Sequence, residues 1–272
     1  MPSFNSTHKM QKQYATAKNL NTRATLHLMF STNPLGWNNW VFQQYDLRPG
    51  ISILELGCGS ASMWKGRAGE LKGVKLLLSD FSEGMLEAAR DSTSEFPGAS
   101  YEQIDAQDIP HPDTSFDIVI ANHMLYHVPD IDKALGEIAR VPKPDGTLFA
   151  TTLGAENMRE LTELLHEFDP AIDFAQDGIT DAFGLESGEA RLRRYFSSVE
   201  VRRYPDSLHI TQARPLIDYV LSSQGIGNVN EILVGEKAVS FARFIEEIVA
   251  RDGAVDITKD AGMFIARGPS RQ

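Results

Sequence analysis

The sequence predicts an α/β protein built on a doubly wound, mostly parallel sheet. Three observations lead there: short apolar runs that read as buried strands, amphipathic helical segments between them, and Gly and Pro residues at the joints. Strands alternating with helices form parallel βαβ units. Their right-handed crossovers bring the functional loops to the carboxyl ends of the strands.

Residues 1–20 are polar, with Lys9, Lys12 and Lys18 among Gln and Asn, and read as an arm or a short helix. Segment 21–46 gathers Leu26, Leu28, Met29, Phe30, Leu35, Trp37, Trp40, Val41, Phe42 and Tyr45. Such a cluster packs an N-terminal helix onto a core or roofs a pocket. After Pro49-Gly50, Ile51 to Leu56 is a buried-strand run ending in Gly57, and Val74 to Leu78 is a second, closing on Ser79-Asp80. Ser82 is placed to cap a helix carrying Met85, Leu86, Ala88 and Ala89, which ends before Pro97-Gly98. Tyr101 to Ile104 and Phe116 to Ala121 give strands three and four. Asp130 caps a helix whose Ile131, Ala134, Leu135, Ile138 and Ala139 form one apolar face, stopped by Pro142 and Pro144. Asp145-Gly146 then turns the chain into a fifth strand over Thr147 to Thr152. Strand ends therefore fall at Gly57, Asp80, Asp105, Asn122 and Gly154.

The remainder differs in kind. Met158 to Phe168 predicts a helix, Val199 to Tyr204 a strand, and Pro215 opens a helix with Leu216, Tyr219 and Val220. Ala238 to Val249 is a longer helix and Met263 to Ala266 a last strand, while 169–198 has little periodicity and reads as a lid or insert.

Composition bounds the function. The chain has 272 residues, a formal net charge of −11, 42% apolar residues and one cysteine. That length suits one main domain with an added lobe. No apolar run reaches the roughly 18 residues of a membrane span, and 1–30 lacks a signal-peptide pattern. Cys58 alone forms neither an intrachain disulfide nor a cysteine-rich zinc site. The acidic balance opposes broad binding to nucleic acid. A soluble, cytoplasmic protein is expected.

Chemistry concentrates at the strand ends. Glu55-Leu56-Gly57-Cys58-Gly59-Ser60-Ala61-Ser62 follows the first strand, where glycines let backbone turn tightly and approach a ligand. A dinucleotide site would place a third glycine at position 62, where Ser62 stands. Asp80 lies 21 residues beyond Gly59, where a carboxylate meets ribose hydroxyls, or merely caps a helix. Asp105-Ala106-Gln107-Asp108-Ile109-Pro110 leaves the third strand on the same edge.

Together with Leu78-Ser79-Asp80-Phe81-Ser82, Asp113-Thr114-Ser115-Phe116-Asp117-Ile118-Val119 and Val141-Pro142-Lys143-Pro144-Asp145-Gly146-Thr147-Leu148, these motifs resemble class I S-adenosylmethionine-dependent methyltransferases. The nearest flavour is the ubiquinone/menaquinone-biosynthesis (type 11) group, over about 50–153. The resemblance implies a Rossmann-like sheet of seven strands with an antiparallel last strand and added helical N-terminal and lid segments. It divides the chain into a helical arm or cap (1–46), a cofactor-binding core (47–154) and a C-terminal part of the sheet with a helical lid (155–272). By the same resemblance, Glu55, Gly57 and Gly59 surround the methionine and ribose of the cofactor, and Cys58 packs beneath it. Asp80 holds the ribose, Phe81 and Met85 lie against adenine, Asp105, Ala106 and Gln107 read its edge, and Asn122 lies beside the sulfonium. Ala61 stands where relatives usually carry another glycine.

A sulfonium methyl is already activated, so transfer needs an in-line nucleophile, excluded water and alignment, worth on the order of 7–11 kcal/mol in ideal geometry. A general base matters only for a protonated nucleophile, and His123 and His127 are the candidates. Their spacing of four suits a metal only on a helix. They follow a strand and lack the glutamate of the metalloprotease pattern, so no metal is expected. Arg191, Arg193, Arg194, Arg202 and Arg203 are either a solvated, carboxylate-paired face or a dock for an anionic substrate or RNA phosphate. The leading expectation is methyl transfer to a small-molecule acceptor, with the N-terminal segment (Tyr14 and Trp37 among its aromatics) and residues 155–250 closing over it. The rivals are a tRNA or protein methyltransferase, a nicotinamide-dependent oxidoreductase, and a cofactor-binding protein without catalysis.

Overall fold

The computed structural model describes residues 25–174, 177–223 and 227–270. The arm over 1–20, with Tyr14, lies outside them. Seven strands form one sheet: β1 (Ser52–Leu56), β2 (Lys75–Asp80), β3 (Ala99–Gln103), β4 (Phe116–Asn122), β5 (Pro142–Leu153), β6 (Phe196–Ile210) and β7 (Val255–Pro269), in the order 3-2-1-4-5-7-6. The first five pair in parallel, and β7 runs antiparallel to both β5 and β6. The reversal between β1 and β4 is a topological switch point, where open α/β sheets bind ligands.

Local sequence explains most elements. Ile53, Leu54 and Leu56 of β1 are wholly buried because the central strand is covered on both faces. Helix α1 (Trp37–Phe42) and helix α2 (Glu83–Ser92) cover one face with Val41, Phe42 and Ala89. Helix α3 (Ile131–Arg140) covers the other with the five predicted apolar residues, and its cap Asp130 accepts the Lys133 N–H at 3.0 Å. Burying each large side chain of that face contributes about 1.5–3 kcal/mol. Ser82 does precede α2, but its hydroxyl makes no capping bond.

The described residues between β1 and β2 hold no α-helix. A 3-10 turn (Ser62–Trp64) and an irregular segment reach β2 instead, because Gly66 and Gly73 take φ of +75° and +76° and interrupt any helix. The strand predicted from Thr147 begins at Pro142. Its ladder jumps from Phe116–Pro142 to Ile118–Thr147, so Lys143 to Gly146 are accommodated in a bulge rather than a separate turn. Residues 169–198, expected to form a lid or insert, contain two short helices, α5 (Asp177–Phe183) and α6 (Gly188–Leu192), which bury Phe183 and Leu192 against the sheet.

The last two strands are each 15 residues long, far beyond the six and four expected. Only Ala261 to Arg267 of β7 pairs with β5, while Val255 to Asp260 continues beyond the sheet with Pro205 to Ile210 of β6. This two-stranded ribbon carries a cap with its own core. Leu208, Ile210 and Ile257 of the ribbon pack there against α4 (Arg159–Phe168), α7 (Ala213–Leu221), α8 (Val229–Ile232) and α9 (Glu236–Asp252). Leu26 and Phe30, from a helical segment at 25–30, join the same core. The N-terminal residues thus split between two places, since Val41, Phe42 and Tyr45 sit on the sheet core. Ser31 bridges Leu208, and Asp206, fully buried, accepts the Ser31 hydroxyl (2.8 Å) and Asn33 N–H (3.0 Å) and pairs with Lys259 at 2.5 Å.

Candidate active site

A cleft of about 820 Å³ opens at the carboxyl ends of β1 to β4, beneath the cap. Its size is that of a small-molecule site. Every residue expected to bind the cofactor or act as a base lines it: Glu55, Gly57, Cys58 and Gly59 from β1 and its loop, Asp80, Phe81 and Met85 after β2, Asp105, Ala106 and Gln107 after β3, and Asn122, His123 and His127 at and after the end of β4. The end of β5 is the exception. Gly154 lies away from the cleft, its N–H donating to the Asp260 carbonyl at 2.8 Å.

The glycine loop is shaped by close approach. Gly57 has φ +65°, and a Cβ there would sit 2.8 Å from Met124 Cβ. Gly59 has φ +55°, and its N–H donates to Asp80 Oδ2 at 2.9 Å. Ala61 adopts the same left-handed conformation (φ +52°) before the 3-10 turn, at a cost of about 1–2 kcal/mol that a glycine avoids.

Asp80 Oδ1 accepts the Ser82 N–H at 2.9 Å, so each oxygen is held by one backbone donor and retains acceptor capacity. Burial raises this carboxyl's pKa, and the N–H groups of Ser82, Gly59 and Phe81 oppose the rise. Glu55, 3% exposed, is pushed up to about 7 by burial despite bonds from Trp64 and Asn122, with Asp80 adding repulsion. The indole N–H of Trp64 donates to Glu55 Oε2, and Asn122 Nδ2 donates to Glu55 Oε1 and Tyr45 Oη, each at 3.1 Å. Asp105 accepts from Gln107 N at 2.9 Å and Nε2 at 3.0 Å, and Gln107 Oε1 accepts the Asp130 N–H at 3.1 Å. Met85 is buried, whereas Phe81 is 45% exposed beside Asp80. Burial pushes the Cys58 thiol far up, which disfavours the nucleophilic thiolate.

His123 and His127 line the same cleft. The His123 ring lies 5.0 Å from Trp37 and 6.4 Å from Tyr126, and burial, with repulsion from His127 and Lys259, lowers it to about 4. His127 meets Tyr126 edge-on at 4.5 Å. Trp37 packs on Trp40 (5.4 Å) and Tyr204 (5.3 Å), so the aromatic segment both roofs the cleft and seats on the core. Among the described residues, no cluster of three or more His, Cys, Asp or Glu is arranged to hold a metal ion.

Sequence reasoning missed Tyr45, Trp64, Met124 and the cap residues His27 and Tyr219, which also border or support the cleft. Trp64 carried a signal, as a lone tryptophan within a polar, glycine-rich stretch. The basic stretch resolves into ion pairs: Arg191 and Arg194 with Asp132, Arg193 with Glu189, Arg202 with Glu200, and Arg203 with Asp260 and Glu186.

Glycine loop, acidic strand ends and switch-point cleft are the parts of a nucleoside-binding domain, and sequence comparison specifies which. Residues 54–150 match the family described as "Methyltransferase domain". A demethylmenaquinone methyltransferase of Desulfitobacterium hafniense (strain Y51) is 30% identical over 132 residues, 45% of this chain and 50% of the relative. The chain thus spans about half the length of the curated relatives it matches. Among solved structures, phosphoethanolamine N-methyltransferase 2 of Haemonchus contortus superposes with a TM-score of 0.58 at 17% identity, covering 99% of this chain and 61% of that one. The [4+2]-cyclase SpnF matches with a TM-score of 0.58 at 16% identity, covering 99% and 98%. At such identity the likeness speaks to the fold alone, which is that of Rossmann-like methyltransferases. Neither family match nor fold supports a nicotinamide-dependent oxidoreductase.

Proposed function

We propose that this chain is an S-adenosylmethionine-dependent methyltransferase acting on a small-molecule acceptor by direct in-line transfer without a metal. The observation that carries the reading is Asp80, whose oxygens are each pinned by one backbone N–H from opposite sides of the glycine loop and α2. That leaves two oriented acceptor sites for a pair of ribose hydroxyls.

The residues fit such a cofactor. Gly57 brings backbone against the cleft where a Cβ would strike Met124. Asp80 and Asp105, with Glu55 ionised in part at pH 7, line the floor with carboxylates, which suits a ligand bearing a sulfonium cation. When bound, S-adenosylmethionine supplies a methyl group already activated by positive sulfur. Glu55, Gly57 and Gly59 would hold its methionine and ribose part over Cys58, and Phe81 and Met85 would flank adenine. Asp105, Ala106 and Gln107 would read the adenine edge, with Asn122 beside the transferred methyl. His127 or His123 would take the proton of a protonated nucleophile. His123, at about 4, is in its neutral, proton-accepting form at pH 7. The cap would exclude water, which strengthens electrostatic interactions within the cleft.

A small acceptor is favoured over tRNA or protein because each arginine of the basic stretch is already matched by a carboxylate. No described residue lining the cleft is Lys or Arg, which favours an acceptor without phosphate or carboxylate. The likeness to a demethylmenaquinone methyltransferase makes demethylmenaquinone analogues the first acceptors to try. The division into a cap (1–46), a cofactor core (47–154) and a lid-bearing C-terminal part (155–272) belongs to this proposal, with the cap core uniting its two outer parts. No described helix is long and apolar enough to cross a membrane. A cytoplasmic setting is also proposed, supported by the lone free thiol of Cys58.

Calorimetric titration with S-adenosylmethionine, S-adenosylhomocysteine and NAD tests the reading. Micromolar binding of the first two without NAD is expected. Binding of NAD alone overturns it. An acceptor screen then separates an enzyme from a protein that only binds the cofactor.

A further inference from the structure

Thr151, near the end of β5, is wholly buried, and no role described above uses it. Its hydroxyl sits between Asn122, the last residue of β4, and His123, the first of the loop that follows. The His123 N–H donates to this hydroxyl and to the Thr151 carbonyl, both at 3.1 Å. The hydroxyl donates in turn to Asn122 Oδ1 at 3.3 Å. That bond and the Glu55 contact together satisfy both ends of the Asn122 amide in one orientation. With Oδ1 toward Thr151, Nδ2 points to Glu55 and Tyr45, whereas the reversed amide would set an oxygen against the Glu55 carboxyl.

The same hydroxyl supports an uncommon backbone. His123 has φ +49°, a left-handed conformation that persists only where surrounding bonds over-determine it. In that conformation its ring lies against Trp37, with His127 and Lys259 nearby opposing its protonation.

We propose that Thr151 is a positioning residue of the transfer site. Its hydroxyl locks the Asn122 amide and the left-handed His123 turn into the one arrangement in which Nδ2 meets Glu55 and the imidazole faces the cleft beside Trp37. The geometry stands alone, and its consequence for catalysis rests on the methyltransferase reading. Valine at this position would conserve shape and β-propensity while deleting both hydroxyl bonds, which separates hydrogen bonding from packing.

The test compares wild type, Thr151→Val and Thr151→Ser by nuclear magnetic resonance with labelled His and Asn, and by calorimetry with S-adenosylhomocysteine. In T151V the His123 ring protons are expected to lose the ring-current displacement imposed by Trp37, and the Asn122 side-chain amide to exchange faster with solvent. S-adenosylhomocysteine affinity should fall about tenfold. T151S should restore all three. Thr151→Ala removes the same hydroxyl and replaces T151V if that variant does not fold. Wild-type His123 and Asn122 signals in the hydroxyl-free variants overturn the proposal, as does a T151S perturbed equally with T151V. If wild type itself fails to bind S-adenosylhomocysteine, the methyltransferase reading falls, while the resonance comparison still decides the role of Thr151.

Discussion

The carboxylate of Asp80 accepts the backbone N–H of Gly59 at 2.9 Å, joining the end of β2 to the loop that follows β1. The bond does two things. It offsets part of the penalty for burying Asp80, and it sets the curvature of a loop whose glycine conformation supplies no side-chain contacts of its own. Asp80→Ala should therefore loosen the loop and remove the ribose acceptor together. Calorimetry should show S-adenosylhomocysteine binding weakened roughly ten- to hundredfold, the value of one or two charged hydrogen bonds. Near-normal affinity would mean that the ribose is held elsewhere.

Gly57→Ala adds one methyl group where two penalties meet. The left-handed φ of +65° disfavours any Cβ, and this one would fall 2.8 Å from Met124. A loss of about 2–4 kcal/mol is expected in urea unfolding. An unchanged midpoint would show that the loop has slack the geometry does not reveal.

His123 makes stability depend on pH with a definite sign. Its folded value of about 4 lies below that of an unfolded imidazole. Between about 6.5 and 4 the unfolded chain therefore binds the proton that the folded chain refuses, so stability falls as pH falls through that window. The contribution approaches about 1.4 kcal/mol per pH unit at most. His123→Asn, which tolerates the left-handed backbone, should flatten this limb when unfolding is followed from pH 7 to 4. Parallel curves for the two proteins would contradict it. Glu55 acts oppositely: its raised value of about 7 makes it a stabilising proton acceptor at low pH, a contribution lost as pH rises through 7.

His127→Ala should leave S-adenosylhomocysteine affinity intact, because the proposed cofactor contacts come from the β1, β2 and β3 ends and Asn122 rather than from this ring. Turnover of an acceptor found by screening should drop about 10²–10⁴-fold if this imidazole takes the proton. Unchanged turnover would send the proton to another group.

Lys259→Met tests the join between N-terminal segment and ribbon. It strands the fully buried Asp206 carboxylate, whose pKa the lysine, Ser31 and Asn33 together hold down against burial. Leaving such a charge unpaired costs about 3–5 kcal/mol. Urea unfolding should register that loss, and limited proteolysis should cut near 31–36 sooner than in wild type. A change below about 1 kcal/mol would place the join elsewhere.

The strand ends were legible because each parallel strand is a short apolar run closed by a polar or glycine residue, and topology places those ends together. Asp80, Asp105 and Asn122 could be read in that way. The length of β6 and β7 could not. Beyond the sheet, the ribbon strand Pro205 to Ile210 offers only Leu208 and Ile210 as apolar residues, with Asp206 on their face and Pro205 at its start, so the segment resembles a loop until its partner is known. The residues that hold the site together were hidden for a related reason. Trp64, Tyr45 and Thr151 reach Glu55 and Asn122 only through tertiary contact, and no sequence spacing encodes a hydrogen bond between β5 and the loop after β4.

The long ribbon also has an evolutionary reading. Cap helix α4 leaves the sheet after β5 and the chain re-enters at β6; α7, α8 and α9 leave after β6 and the chain re-enters at β7. Each excursion is thus clasped at both ends by strand ladders that survive whatever lies between them. Natural selection can lengthen, delete or exchange those helices, and with them the chemistry presented to an acceptor, while the glycine loop and Asp80 remain untouched on strands whose pairing lies elsewhere.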